Sequence, residues 1–276
     1  MQTISLGDVD LAVEDRGVGP VLLLVHGFPL DHSMWRAQID EFSQRYRVLA
    51  PDLRGFGASG PGRGLGSGEC SGEITMRRYA DDLAVLLDRL GIRDSIVYCG
   101  LSMGGYVAWQ FWQKCADRLD GLVVCDTRAV GDTPQAKAGR AELAARVLAE
   151  GAKAAADAML PKLFGPESQR DHPQAIEQTR AAILGNPPAG IAAALHGMAT
   201  RPDATEMLAG IDVPTLVVVG EHDSISPVAE MRGIAERIPG AELAVIRNAG
   251  HMSPLEEPRA FNDALGRFLE RVSQHE

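Results

Sequence analysis

The sequence predicts an α/β protein: a mostly parallel β-sheet with helices on both faces. Three observations carry the prediction. Short apolar runs alternate with stretches of helical periodicity, first from Val21 to Thr127 and again from Val213 onward. Val21-Leu22-Leu23-Leu24-Val25 is apolar at consecutive positions, as suits a strand buried on both faces of a covered parallel sheet. Between the two alternating blocks, residues 134–200 hold no strand-like run. They are rich in alanine and interrupted at Gly151, Pro161, Gly165-Pro166, His172-Pro173 and Asn186-Pro187-Pro188, which predicts about four short helices. Such an insertion should lie over the C-terminal ends of the strands, where these sheets bind ligands, and so reads as a lid or a packing layer.

Each element has a local reason. Residues 2–15 read as two short strands joined at Gly7-Asp8, and Gly17-Val18-Gly19-Pro20 as a turn. His26-Gly27-Phe28-Pro29 ends the first parallel strand, and a helical pattern follows from Trp35 to Phe42. Tyr46 to Ala50 is the next strand, closed by Pro51-Asp52-Leu53-Arg54-Gly55-Phe56-Gly57. Residues 60–72 hold six glycines in thirteen positions, too costly in backbone entropy for a regular element, and predict a flexible loop. That stretch lacks the patterns of a phosphate-cradling loop. Thr75 should cap a helix in which Met76, Tyr79, Ala80, Leu83, Leu86, Leu87 and Leu90 recur at helical spacing, with Gly91 ending it. Ser95 to Cys99 and Leu119 to Cys125 are strands, the second ending at Asp126-Thr127. The alternation resumes with a strand at Val213 to Val219, a helix at 227–237, a strand at Ala241 to Ile246 and a closing helix at 258–272.

Composition bounds the function. Among 276 residues, 45% are hydrophobic and 23% charged, enough for a folded core of one large domain or two small ones. A formal net charge of −10 repels phosphate backbones and argues against nucleic acid as a partner. Cys70, Cys99, Cys115 and Cys125 form no C-x-x-C pair, and two lie in apolar runs, so buried free thiols in a reducing, cytoplasmic compartment are expected. The N-terminus shows no secretory pattern, and the longest apolar run, Val21 to Val25, is far too short to span a bilayer. The expected partner is a small molecule rather than nucleic acid or membrane.

The chemistry centres on Gly100-Leu101-Ser102-Met103-Gly104, placed between a strand and the helical pattern Gly105 to Trp112. Strand, tight turn and helix is the context of a nucleophile elbow, with the serine hydroxyl held clear of the sheet. The pentapeptide alone recurs by chance, so the reading depends on a base and an acid at the same sheet edge. Of the seven histidines, His251 follows a late strand and is flanked by small residues. His26 is expected to brace its own loop, His32 lies in a loop with no evident partner, His172 and His196 fall in the predicted lid, His222 shares a short loop with Asp223, and His275 is in the tail. The acid is expected at Asp223, after the strand ending at Val219. Asp126 is the alternative, one strand beyond the serine, and Glu221 leaves its strand too early. Backbone N–H groups of Phe28 and Met103 are the expected oxyanion donors.

Val25-His26-Gly27-Phe28-Pro29, Pro51 to Ser59, Gly100 to Gly105, Gly220-Glu221-His222-Asp223 and Asn248-Ala249-Gly250-His251, in this order, are specific together. On them the chain resembles the α/β-hydrolase superfamily over nearly its whole length, most of all small carboxylesterases and 3-oxoadipate enol-lactonases, and more distantly cofactor-free haloperoxidases. The resemblance implies an α/β-hydrolase fold with an eight-stranded, mostly parallel sheet. It implies a core of residues 1–127 and 206–276 and a helical cap at 128–205, inserted after the sixth strand. It also implies a Ser102–His251–Asp223 triad, an oxyanion hole at Phe28 and Met103, and no metal or organic cofactor. The expected activity is hydrolysis of a small carboxylic ester or lactone through an acyl-enzyme. Enol-lactonase, thioesterase, perhydrolase or carbon–carbon hydrolase activity, or ligand binding without turnover, are the alternatives. Epoxide hydrolases and haloalkane dehalogenases would need a carboxylate at position 102. The glycine-rich stretch at 60–72 departs from the family pattern and bears on the shape of one pocket wall.

Overall fold

The computed structural model describes residues 1–62 and 72–274. Most of the glycine-rich stretch, with Cys70, and His275 lie outside the described residues. The eight strands are β1 (Gln2–Ser5), β2 (Asp10–Arg16), β3 (Val21–Val25), β4 (Arg47–Pro51), β5 (Ile96–Leu101), β6 (Leu119–Cys125), β7 (Thr215–Gly220) and β8 (Glu242–Ile246). They form one sheet in the order β1-β2-β4-β3-β5-β6-β7-β8. β2 pairs antiparallel with both β1 and β4, and the remaining pairs are parallel. All five residues of β3 and all six of β5 and of β7 are buried, which explains their unbroken apolar runs.

The chain leaves β3 toward β4 on one side and returns to β5 on the other. Loops at the C-terminal ends of β3 and β5 therefore diverge and leave a crevice between them. Val25 pairs in register with Gly100, so the Gly27 loop and Ser102 emerge side by side.

Helices α1 (Arg36–Phe42), α2 (Met76–Arg89), α3 (Met103–Cys115), α9 (Val228–Arg237) and α11 (Pro258–Val272) cover the sheet, and the short α10 (Ser253–Glu256) follows β8. The predicted stripe of α2 is buried from Met76 to Leu87, and the Thr75 hydroxyl accepts the Arg78 N–H as its cap. A 3-10 turn at His32–Trp35, where helix was expected from Trp35, leads into α1.

Between β6 and β7 lie five helices rather than four: α4 (Pro134–Glu150), α5 (Lys153–Leu163), α6 (Pro166–Asp171), α7 (Pro173–Gly185) and α8 (Pro188–Ala199). Of the prolines that read as interruptions, Pro166, Pro173 and Pro188 are helix starts, whereas Pro161 lies inside α5. Pro134, Pro166, Pro173 and Pro188 each open a helix, where the missing N–H costs nothing. Small residues let these helices sit close on the sheet loops. A Cβ on Gly190 would stand 1.9 Å from the carbonyl oxygen of Gly55. Cys99, Cys115 and Cys125 are free and buried, with the Cys99 and Cys125 sulfurs 3.9 Å apart. Among the described residues no helix is long and apolar enough to cross a membrane.

Candidate active site

Ser102 stands between β5 and α3 at φ 53° and ψ −108°, a left-handed conformation that costs a non-glycine residue of order 1–3 kcal/mol. Its surroundings hold it there. The Ser102 N–H donates to the Cys125 carbonyl at 2.9 Å, and the Thr127 hydroxyl donates to the Ser102 carbonyl at 2.7 Å. The elbow glycines are sterically required. A Cβ on Gly100 would stand 2.4 Å from the Gly104 carbonyl oxygen, and one on Gly104 would stand 2.3 Å from that of Val25. Among the described residues the other non-glycine residues at positive φ are Asp126 and Asn248, at the ends of β6 and β8. All three strained positions thus fall at one rim of the sheet.

The structure brings Ser102, His251 and Asp223 together. His251 Nε2 lies 2.9 Å from Ser102 Oγ, and its Nδ1 lies 2.8 Å from Asp223 Oδ2. Asp223 Oδ1 accepts the N–H groups of Ile225 and Ser226 at 2.7 and 3.0 Å. Burial pushes the Asp223 carboxyl up, but the His251 ring and those two N–H groups outweigh it and hold it below the usual carboxylate range. An ionised Asp223 accepts only, so Nδ1 carries the imidazole hydrogen and Nε2 is free to accept from the hydroxyl. His251 and Asp223 are buried, whereas Ser102 is partly exposed.

The rival acids do other things. Asp126 accepts the Gly220 N–H at 2.8 Å and the Ser253 hydroxyl at 2.5 Å, and does not reach His251. Burial, and then the Asp223 charge, push its carboxyl well above the usual range. Glu221 is exposed and accepts the Asn248 N–H at 3.2 Å. His26 braces its loop: Nδ1 donates to the Gly27 carbonyl and Nε2 accepts the Leu53 N–H, each at 2.9 Å. His32 corrects an expectation. It has a partner, Asp52, 2.7 Å from its Nδ1, because the loop after β4 folds back over the 3-10 turn. That hydrogen bond raises the His32 pKa. Asp31, His32 and Asp52 also bring potential metal-ligand atoms within 4.8 Å of one another. Within the chain Asp52 already accepts from His32 and the Ala58 N–H, and Asp31 Oδ1 accepts the Ser33 N–H.

Facing Ser102 is the loop after β3. A Cβ on Gly27 would lie 2.7 Å from the Leu101 side chain and 3.4 Å from Ser102 Cβ. The Phe28 side chain is buried edge-on against Phe56. Among the described residues neither the Phe28 N–H nor that of Met103, the first residue of α3, has an acceptor. Asn186, which read only as part of a breaker, fixes this loop. Its Nδ2 donates to the Pro29 carbonyl at 2.8 Å and its Oδ1 accepts the Gly57 N–H at 2.6 Å. Ser253 and Glu256, on the far side of His251, were also missed, since a lone buried polar residue leaves no periodic trace.

A cavity of about 400 Å³ opens between α7 and the loop after Pro29, lined among others by Leu30, Met34, Thr179 and Leu255. Ser102, His251 and Asp223 are not on its wall. The cations of the helical insertion are committed elsewhere. Arg128 pairs with Glu230, Arg140 and Arg201 with Asp132, Arg146 with Glu150, Lys153 with Asp157, Arg170 with Asp171, and Arg180 with Asp157 and Glu177. Lys137 and Lys162 are exposed.

The family model described as the alpha/beta hydrolase fold matches residues 20–258. The chain belongs to the α/β-hydrolase family. Among solved structures, this α/β hydrolase is 46% identical to a thermophilic esterase from Thermogutta terrifontis, with a TM-score of 0.92 and 99% of each chain covered. It is 28% identical to the enol-lactonase from Burkholderia xenovorans LB400, with a TM-score of 0.87, 98% of this chain and 100% of that one covered. It is also 28% identical over 272 residues to 3-oxoadipate enol-lactonase 2 of Acinetobacter baylyi, covering 99% of this chain and 96% of the relative.

Proposed function

We propose that this α/β hydrolase is a serine hydrolase that cleaves small carboxylic esters through an acyl-enzyme. The observation that carries the reading is the unbroken relay from Asp223 through His251 to Ser102, at 2.8 and 2.9 Å. His251 Nε2 takes the Ser102 proton as Oγ attacks the ester carbonyl. The oxyanion forms beside the open N–H groups of Phe28 and Met103, each donor worth about 3 kcal/mol in the transition state. His251 then protonates the leaving alcohol, and water releases the acyl group by the reverse use of the same atoms. Asp223 keeps Nδ1–H oriented and offsets the imidazolium charge. Residues 128–205 act as a cap over a core of residues 1–127 and 206–276.

An ester is favoured over a 3-oxoadipate-type lactone by charge. A lactone that keeps a free carboxylate calls for a cation facing inward, and the insertion's cations are paired with acids of the chain or exposed. The lactone is the second reading, supported by the enol-lactonase relatives. A fluorophosphonate probe should label Ser102, and Ser102→Ala should lose both the label and hydrolysis of short p-nitrophenyl esters. Hydrolysis that survives Ser102→Ala ends the serine reading. Faster turnover of an enol-lactone bearing a free carboxylate than of neutral esters replaces the first substrate class by the second.

A further inference from the structure

Glu256 joins the backbone on either side of His251 to the helical insertion. Its side chain lies at the end of α10 and is only 1% exposed. Oε1 accepts the N–H of Gly250 at 2.9 Å and that of Met252 at 3.0 Å, so it brackets His251. Oε2 accepts the N–H of Gly165 at 2.7 Å, at the junction of α5 and α6. The Met252 N–H also reaches the carbonyl of Leu163, the last residue of α5, at 3.2 Å. Gly165 and Gly250 make this approach feasible, since a Cβ on Gly250 would stand 2.4 Å from the Gly165 nitrogen. Among the described residues no Lys, Arg or His pairs with Glu256. A buried carboxylate without a cation depends on its N–H partners, and here two come from the His251 loop and one from the insertion.

We propose that Glu256 is a positioning residue for His251, and that it makes the geometry of the base depend on how the α5–α6 junction is seated. This rests on the reading of Ser102 and His251 as nucleophile and base. Lifting the junction strips Oε2 of its partner, frees the carboxylate to turn, and loosens the backbone that carries the imidazole. Seating it again restores the hydrogen bond between Nε2 and Oγ. The cap thereby licenses the base only when it is closed.

Glu256→Gln keeps the shape but replaces one acceptor oxygen by an NH₂ group that opposes an N–H. On p-nitrophenyl acetate its kcat should fall about 10²-fold, the scale of an ångström's misplacement of a reacting group, with little change in KM. Fluorophosphonate labelling of Ser102 should slow in parallel, and Glu256→Asp should recover part of both rates. A second pair of variants decides the matter even where Glu256→Gln folds poorly. Gly165 has φ −66°, which suits proline; Gly165→Pro and Gly165→Ala both add a Cβ, 3.1 Å from the Gly250 nitrogen, but the proline alone closes a ring on the nitrogen and takes away its N–H. The proline variant should have the lower kcat, at matched thermal stability. A folded Glu256→Gln with wild-type kcat and labelling rate, or equal kcat in the two Gly165 variants, overturns the proposal. Ser102→Ala in the wild-type background reports on the underlying reading separately: continued turnover there removes both, while its loss leaves the Glu256 and Gly165 results to decide alone.

Discussion

The carboxyl of Asp126 and the backbone N–H of Gly220 lie 2.8 Å apart, so the acid that closes β6 is fastened to the last residue of β7. Its second oxygen takes the Ser253 hydroxyl. Asparagine at this position keeps Oδ1 to accept from Gly220, and its Nδ2 can donate to the Ser253 oxygen once that hydroxyl turns. Asp223→Asn instead turns an N–H toward the imidazole and selects the wrong tautomer. Asp223→Asn should therefore lower kcat about 10⁴-fold while Asp126→Asn stays within about tenfold of wild type. Steady-state kinetics on a short ester check the ranking, and its reversal would move the working acid to β6.

The same carboxyl predicts a pH trend in stability. Burial and the Asp223 charge raise its pKa in the folded chain above the ordinary value of 3.8. Once the pH passes that value, the unfolded chain releases a proton that the folded chain keeps. The contribution of Asp126 to stability therefore falls as pH rises toward its folded pKa. Asp126→Asn has no such trend, so its stability relative to wild type should grow as the pH rises above the ordinary carboxylate value. Urea unfolding at several pH values measures it, and a constant difference would mean that Asp126 is ionised in the folded protein.

Gly104→Ala should destabilise by about 1–3 kcal/mol, because its Cβ meets only backbone: the Val25 carbonyl at 2.3 Å and the His26 carbonyl at 3.1 Å. The strain falls on the loop that carries Phe28, so kcat should drop as well. Gly139→Ala, within α4 and with nothing inside 4 Å of the added Cβ, should stabilise by about 0.5–1 kcal/mol. Denaturant melts of the two variants should move in opposite directions.

Asn186→Ala leaves the buried Pro29 carbonyl and Gly57 N–H without their partner, at a cost of about 1–3 kcal/mol. Pro29 follows Phe28, so the variant should also lose turnover while Ser102 remains intact. Thermal unfolding together with kcat tests both halves. Loss of stability with unchanged kcat would make Asn186 a structural latch alone.

The fold class was legible because its signals are local. Val21–Val25 had to be a strand covered on both faces, and the stripe from Met76 to Leu87 had to be a helix packed on one side. The prolines of the insertion mislead because a proline marks a helix boundary without saying on which side of it the helix lies: Pro166, Pro173 and Pro188 begin helices, and Pro161 sits within one. His32 shows no partner in the sequence because its acid, Asp52, is remote along the chain and reaches it only when two loops fold together.

By itself, the order of residues determined the α/β alternation, the helical insertion, and the placing of Ser102, Asp223 and His251 on loops at one edge of the sheet. Periodicity and strand direction are enough for that. Only the tertiary structure decided which carboxylate meets the imidazole, that Asp126 is spent on Gly220 and Ser253, and that Glu256 and Asn186 tie the insertion to the loops around Ser102. Those outcomes turn on hydrogen bonds a few ångströms long between chain segments remote in sequence, and a difference of that size between two neighbouring strand ends leaves no mark on local residue pattern.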